Sequence, residues 1–209
     1  PHFGREKSMA KIQRAVLSCH DKTGIIELAL FLKEWDIELV TTSGTGKALS
    51  EAGIESLSIA EFTGVNEMMD GRVKSLHPKV HAGLLGVRDN KLHVEQMQAY
   101  EMKWIDLMVV NLHPIKSLIA APDLATDEVM EQADIGGTAM IRSAAKNFRY
   151  VTAVVNPERY ATIIHEMRAR EGEVSFATRY RLAQEAFSRT AEYDSALAEY
   201  LRKNEPVAE

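Results

Sequence analysis

Ala15-Val16-Leu17-Ser18-Cys19-His20-Asp21-Lys22-Thr23-Gly24-Ile25 is the stretch on which the fold turns. Its apolar run belongs to a strand over Gln13 to Cys19, and a polar turn leads from it into Ile25 to Trp35, where apolar residues recur at helical spacing. Strand, polar turn and helix in that order open a parallel α/β unit. Asp21 or Thr23 is placed to cap the helix, whose free N–H groups, with Lys22 beside them, form a potential anion seat.

Downstream the pattern recurs. Ile37 to Val40 reads as a strand, followed by Thr41-Thr42-Ser43-Gly44-Thr45-Gly46 and a short helix to Ala52 and Gly53. Small hydroxyl residues and glycines at such a junction let backbone amides and hydroxyls approach a phosphate. The spacing is that of neither a Walker loop nor a dinucleotide fingerprint. Glu55 to Ile59 is a third, short strand. Ile105 to Leu112 is the clearest strand, apolar enough to be buried on both faces, and it ends at Asn111-Leu112-His113-Pro114. In an open parallel sheet, ligands bind beyond the carboxyl ends of strands, which puts Asn111 and His113 where a site would be. Val151 to Val155 is a further buried strand.

The helices read as Leu92 to Met102, a segment capped by Thr126 or Asp127 and running to Gln132, and Thr138 to Asn147. Asp134 precedes the last by one turn, and Lys146 lies near its far end. From Glu158 the chain is helical to about Arg170, breaks at Gly172 and resumes from Ser175 to about Lys203. Arg179, Arg181, Glu185, Arg189 and Glu192 in that last helix read as solvated partners at helical spacing.

Between these elements, Met68-Met69-Asp70-Gly71-Arg72-Val73-Lys74-Ser75-Leu76-His77-Pro78-Lys79-Val80-His81 gathers cations and imidazoles around a proline. That is poor packing material, and Pro78 favours an extended, ordered loop over a helix from Lys74 to Val80. With the hydroxyl-rich turn before it and Asp134 to Lys146 after it, the parts are those of an anion site.

Composition narrows what the anion is. The 209 residues, 45% of them hydrophobic, suffice for one full core, with residues 11–209 as one domain. Pro1 to Ser8, polar and patternless, read as an expression leftover or a frayed end, and residues 1–10 stand outside the domain. A single cysteine, Cys19, excludes an internal disulfide and thiolate zinc clusters, and points to a reducing compartment and a buried, inert thiol. A formal net charge of -5 argues against broad nucleic-acid binding, so the local cations serve something small. No apolar run reaches the roughly 20 residues of a membrane-spanning helix and no signal peptide is present, which points to the cytoplasm.

Taken in order and spacing, His20-Asp21-Lys22-Thr23-Gly24, Thr41 to Thr45, Glu67 to His81, Val109-Val110-Asn111-Leu112-His113-Pro114 and Asp134-Ile135-Gly136-Gly137 through Lys146-Asn147 resemble the IMP cyclohydrolase domain of bifunctional purine biosynthesis proteins. The resemblance runs from about Arg14 to Tyr200. It implies a methylglyoxal-synthase-like α/β fold of three layers, a mainly parallel sheet between helices, with helices at the C-terminus. It also implies a homodimer and a reaction, closure of the formamidoimidazole-carboxamide ribonucleotide to inosine monophosphate with loss of water, needing no cofactor and no metal. A formyltransferase domain would follow the last helix, and with the chain ending at Glu209 both an excised domain and a separate cyclohydrolase fit.

By the same resemblance Lys74 sits near the formyl group, Lys146 is an acid/base or oxyanion residue, and Asp134 receives or orients the carboxamide proton. The phosphate falls to Lys22, the Thr42-Ser43-Gly44-Thr45 turn and Arg72, with His20, Asp21, Val73 and Ser75 as further substrate-binding residues. Backbone groups around Asn111 and Ile135 read the base. The chain departs from the family pattern twice: His20 stands where serine is usual, and His113 where tyrosine is usual, which makes His113 the candidate proton donor. Two rival readings share the fold. A nucleotide-sensing module would need the phosphate turns but not Lys74, Asp134 and Lys146 together, and methylglyoxal synthase itself would match only the Thr-rich turn.

Overall fold

The computed structural model describes residues 11–120 and 124–205, so Pro1 to Ser8 lie outside the described residues. Five strands, β1 (Arg14–Cys19), β2 (Glu38–Thr41), β3 (Leu57–Ser58), β4 (Leu107–Asn111) and β5 (Thr152–Val154), form one sheet in the order β3-β2-β1-β4-β5, and every ladder is parallel. All five residues of β4 are buried, as its unbroken apolar sequence requires of a strand covered on both faces.

Alternation along the strands sorts the core into two layers. Ala15, Leu17, Leu39, Leu107 and Val109 face α1 (Ile25–Glu34), α2 (Ser43–Glu51) and, later in the chain, α9 (Tyr160–Ala169). Val16, Val40, Met108 and Val110 face α3 (Ile59–Thr63), α4 (Pro78–Leu85), α8 (Ile135–Lys146) and α10 (Phe176–Lys203). Of the remaining helices, α6 (Ile115–Ile119) and α7 (Thr126–Glu131) join the second layer through Ile115, Leu118 and Val129, and α5 (Lys91–Ala99) precedes β4. The expected three-layer α/β architecture is the one observed. Chain direction reverses between β1 and β4: β1 leads outward to β2, β4 the other way to β5. Their carboxyl ends, Cys19 and Asn111, are paired in register at that crevice.

Five local expectations need correction. No helix spans Lys74 to Val80, as expected, but Pro78 itself does not continue the extended loop. It starts α4 at the first helical position, where its missing N–H is no loss, and the His77 ring accepts the Lys79 N–H at 3.1 Å as the cap. Neither Asp21 nor Thr23 caps α1; Gly24, at φ 70°, is the cap residue, and Asp21 instead accepts the Thr23 N–H at 2.9 Å. Thr126 is the first residue of α7 rather than its cap, and Glu128 reaches back to the Ala125 N–H at 2.8 Å. Asp134 caps α8 directly rather than standing a turn away. Arg179 is also not a solvated partner. It is 3% exposed, and its guanidinium donates to the carbonyls of Phe148 and Val174, which satisfies a charge that burial would otherwise make costly.

Candidate active site

At the crevice a cavity of about 550 Å³ opens between the ends of β1 and β4, the start of α2, the Asp70 to Ser75 loop and the start of α8. The β1 end is locked to β4 by reciprocal bonds. Asn111 Oδ1 accepts the Asp21 N–H at 2.7 Å, Asn111 Nδ2 donates to the Asp21 carbonyl at 2.9 Å, and the His20 N–H reaches the Asn111 carbonyl at 3.2 Å. The Lys22 ammonium folds back onto the Cys19 carbonyl and, at 3.3 Å, the His20 carbonyl, which sets its charge at the cavity wall.

Opposite it, the hydroxyl-rich segment is not a free loop. Ser43 to Gly46 is the first turn of α2; the Thr45 and Gly46 N–H groups donate to the Thr42 carbonyl, at 3.0 and 2.8 Å, which leaves those of Ser43 and Gly44 at the helix start, with Gly44 lining the cavity. Thr45 Oγ1 is buried, accepting the Cys19 N–H at 2.9 Å and donating to its carbonyl at 3.3 Å, so it fastens the turn to β1. Thr42 Oγ1 donates to Ser18 at 3.0 Å. Cys19 itself is buried, and burial raises its thiol above the ordinary range, as expected for an inert thiol.

The Met68 to His77 loop supplies Arg72, Lys74 and Ser75. Val73 is spent on a bridge to Met68 rather than on the cavity. Arg72 is clasped by Glu131 at the end of α7, through Nε at 2.9 Å and a second, shorter bond. Ser75 is buried against α8: a Cβ at Gly136 would lie 2.5 Å from its Oγ, so glycine is what admits the loop. Behind Ser75, His81 bonds to Ser143 of α8 through Nδ1 at 2.9 Å, and burial depresses its basicity.

From α8 come Asp134, whose Oδ1 accepts the Gly137 N–H at 2.6 Å, and Ile135, 61% exposed at the mouth. His113 completes the wall. Its ring meets His20 edge to face at 4.2 Å, so the two departures from the family pattern touch each other. Burial pushes the His113 imidazole below the ordinary histidine range and the nearby His20 adds to this, while Asp134 pulls the other way; its Nδ1 is buried without a hydrogen-bond partner among the described residues.

The cavity therefore brings together His20, Lys22, Thr42, Gly44 and Thr45 with Arg72, Lys74, Ser75, Asn111, His113, Asp134 and Ile135. Asp21 turns into an adjoining cavity, and the Ser43 hydroxyl points to Glu67 at 3.5 Å. Lys146 is not there: it is exposed at the opposite end of α8, twelve residues from Asp134 and so roughly 18 Å away at 1.5 Å per residue. Two residues of this region were not foreseen, Glu131 and Tyr193. The Tyr193 hydroxyl, on α10, accepts the Asp134 N–H at 2.9 Å. A glycine at the third helical position hints that the cap N–H needs an outside acceptor, but nothing local points to a residue 59 positions on.

Residues 24–139, more than half of the chain, match the family model of the MGS-like domain. The chain belongs to the MGS-like domain family. Within it, this MGS-like chain carries a second match, residues 144–209, to the AICARFT/IMPCHase bienzyme. It is 45% identical over 193 residues to the bifunctional purine biosynthesis protein PurH of Magnetococcus marinus, and 45% identical over 191 residues to that of Ruminiclostridium cellulolyticum, in each case across more than nine-tenths of the chain. The chain spans 36% and 37% of the length of those relatives. Among solved structures, the crystal structure of ForH superposes with a TM-score of 0.82 at 33% identity, covering 91% of this chain and 99% of that one.

Proposed function

We propose that this MGS-like domain is an IMP cyclohydrolase, closing the formamidoimidazole-carboxamide ribonucleotide to inosine monophosphate with release of water. The observation that carries the reading is the meeting, in one cavity, of a preformed anion seat with a lysine, a carboxylate and an imidazole. The ring closes within one molecule, when the carboxamide nitrogen attacks the formyl carbon. Held ends supply part of the acceleration, and the rest is charge and proton traffic. Lys22, the α2 start and Arg72 hold the phosphate; groups at Asn111 and Ile135 face the base. Lys74 stabilises negative charge on the formyl oxygen, Asp134 receives the carboxamide proton, and His113 serves the departing hydroxyl.

Lys146 enters this scheme only from a second copy of the chain, since its own cavity lies a helix length away. A homodimer is supported by the apolar side chains exposed beside the cavity, Met68 at 51%, Met69 at 73% and Ile135 at 61%. A formyltransferase, fused or separate, would supply the substrate. The cytoplasm is the proposed location; among the described residues no helix is long and apolar enough to cross a membrane.

The test is to supply the formylated ribonucleotide to the purified chain and follow absorbance. Turnover is the expected result. Binding of inosine monophosphate without turnover would instead identify a nucleotide-sensing module.

A further inference from the structure

A helix cap has two halves. The cap side chain accepts an N–H from the first turn, and the cap residue's own N–H, outside the helical ladder, needs an acceptor of its own. Two other helices of this chain meet the second need with a glutamate three residues on: Glu61 accepts the Ser58 N–H at 2.8 Å, and Glu128 accepts the Ala125 N–H at 2.8 Å. At α8 that route is closed. The third helical residue is Gly137, and a Cβ there would lie 2.4 Å from Asp134 Oδ2 and 2.8 Å from its Cγ. The tight wrap of Asp134 over its helix start thus excludes any side chain that could reach back.

Tyr193 takes the missing place. It is 4% exposed, packed in the core layer that α10 shares with α8, and its hydroxyl accepts the Asp134 N–H at 2.9 Å. We propose that Tyr193 is a positioning residue for Asp134: a long-range substitute for the absent capping glutamate, through which the C-terminal helix fixes the carboxylate at the cavity. The consequence for turnover rests on the cyclohydrolase reading; the geometry does not.

Tyr193→Phe removes the hydroxyl and keeps the ring. Turnover is expected to fall about three- to tenfold, the worth of one hydrogen bond, with the KM for nucleotide nearly unchanged. A second readout needs no activity. Asp134 acts on the His113 imidazole, which is also faced by His20, with Lys22, Asp70, Arg72, Lys74 and Glu131 around the same cavity. Freed of its anchor, Asp134 relaxes away, and the His113 titration followed by NMR should move to lower pH. When Asp134→Asn is already present, adding Tyr193→Phe should leave that titration where it is. An unmoved His113 titration in the single variant would overturn the proposal, as would an equal shift when Tyr193→Phe is added to Asp134→Asn. If the variant did not fold, the wild-type protein still decides: the Asp134 amide should exchange slowly, and fast exchange would overturn the proposal.

Discussion

The α2 turn and the Met68 to His77 loop face one another across the same cavity and are built in opposite ways. The turn is continuous with the sheet: Thr42 and Thr45 are buried, and both hydroxyls and the Thr42 amide are bonded to Leu17, Ser18 and Cys19 of β1. The loop is mostly exposed, holds Met69 and Asp70 at φ 54° and Gly71 at φ 87°, and is tied by the Met68 to Val73 bridge and the Arg72 to Glu131 clasp. Left-handed non-glycine residues cost on the order of 1 kcal/mol or more each, and an exposed ion pair returns about 0–1 kcal/mol. At Ser75, buried against Gly136, the loop packs onto α8. On the proposed function, a seat built on the sheet faces a clamp built on a loop: the seat, with Arg72, binds an unchanging phosphate, and the clamp brings Lys74 to the part of the substrate that changes.

His113 stands on the fixed side yet is assigned chemistry, so it is where the division is most easily broken. His113→Phe should lower turnover by about a hundredfold, the low end for a lost acid or base, with nucleotide affinity retained. His113→Tyr should retain activity and flatten its pH profile. Because burial and His20 hold the imidazole below its ordinary value, its proton-donating form gains population on the acid side, and wild-type turnover should rise as pH falls below about 6.5. The same depression means that the unfolded chain takes up this proton first, so stability is complete above about 6.5 and falls as pH drops through the folded value. A Phe variant with wild-type turnover and pH dependence would remove His113 from the chemistry.

The smallest effect is expected at the clasp. Glu131→Gln should release Arg72 towards the phosphate and tighten inosine monophosphate binding by up to about fivefold, as befits an exposed pair. Calorimetric titration would show it; weaker binding would mean that the clasp shapes the site rather than competing for Arg72.

How much of this was legible depended on whether the deciding contact was local. The strand at Leu107–Asn111 was legible because burial on both faces demands an unbroken apolar run, and the sheet-end position of Asn111 and His113 followed from strand direction. Pro78 misled because the same ring that forbids a helix interior suits its first position. Arg179 looked solvated because helical spacing records charge but not the two carbonyls that receive it. Lys146 was grouped with Asp134 by motif, whereas a helix separates them by its length. Tyr193 had no local signal, since its partner lies on another helix.

The division between seat and clamp is tested most directly by measuring Lys22→Ala and Lys74→Ala side by side, with kcat and KM determined separately for the formylated ribonucleotide. Lys22→Ala should raise KM by roughly tenfold or more, as for a lost charged hydrogen bond, and leave kcat near wild type. Lys74→Ala should lower kcat by the equivalent of about 2–4 kcal/mol and leave KM nearly unchanged. Loss of affinity alone in Lys74→Ala, with kcat intact, would contradict the assignment of chemistry to the clamp.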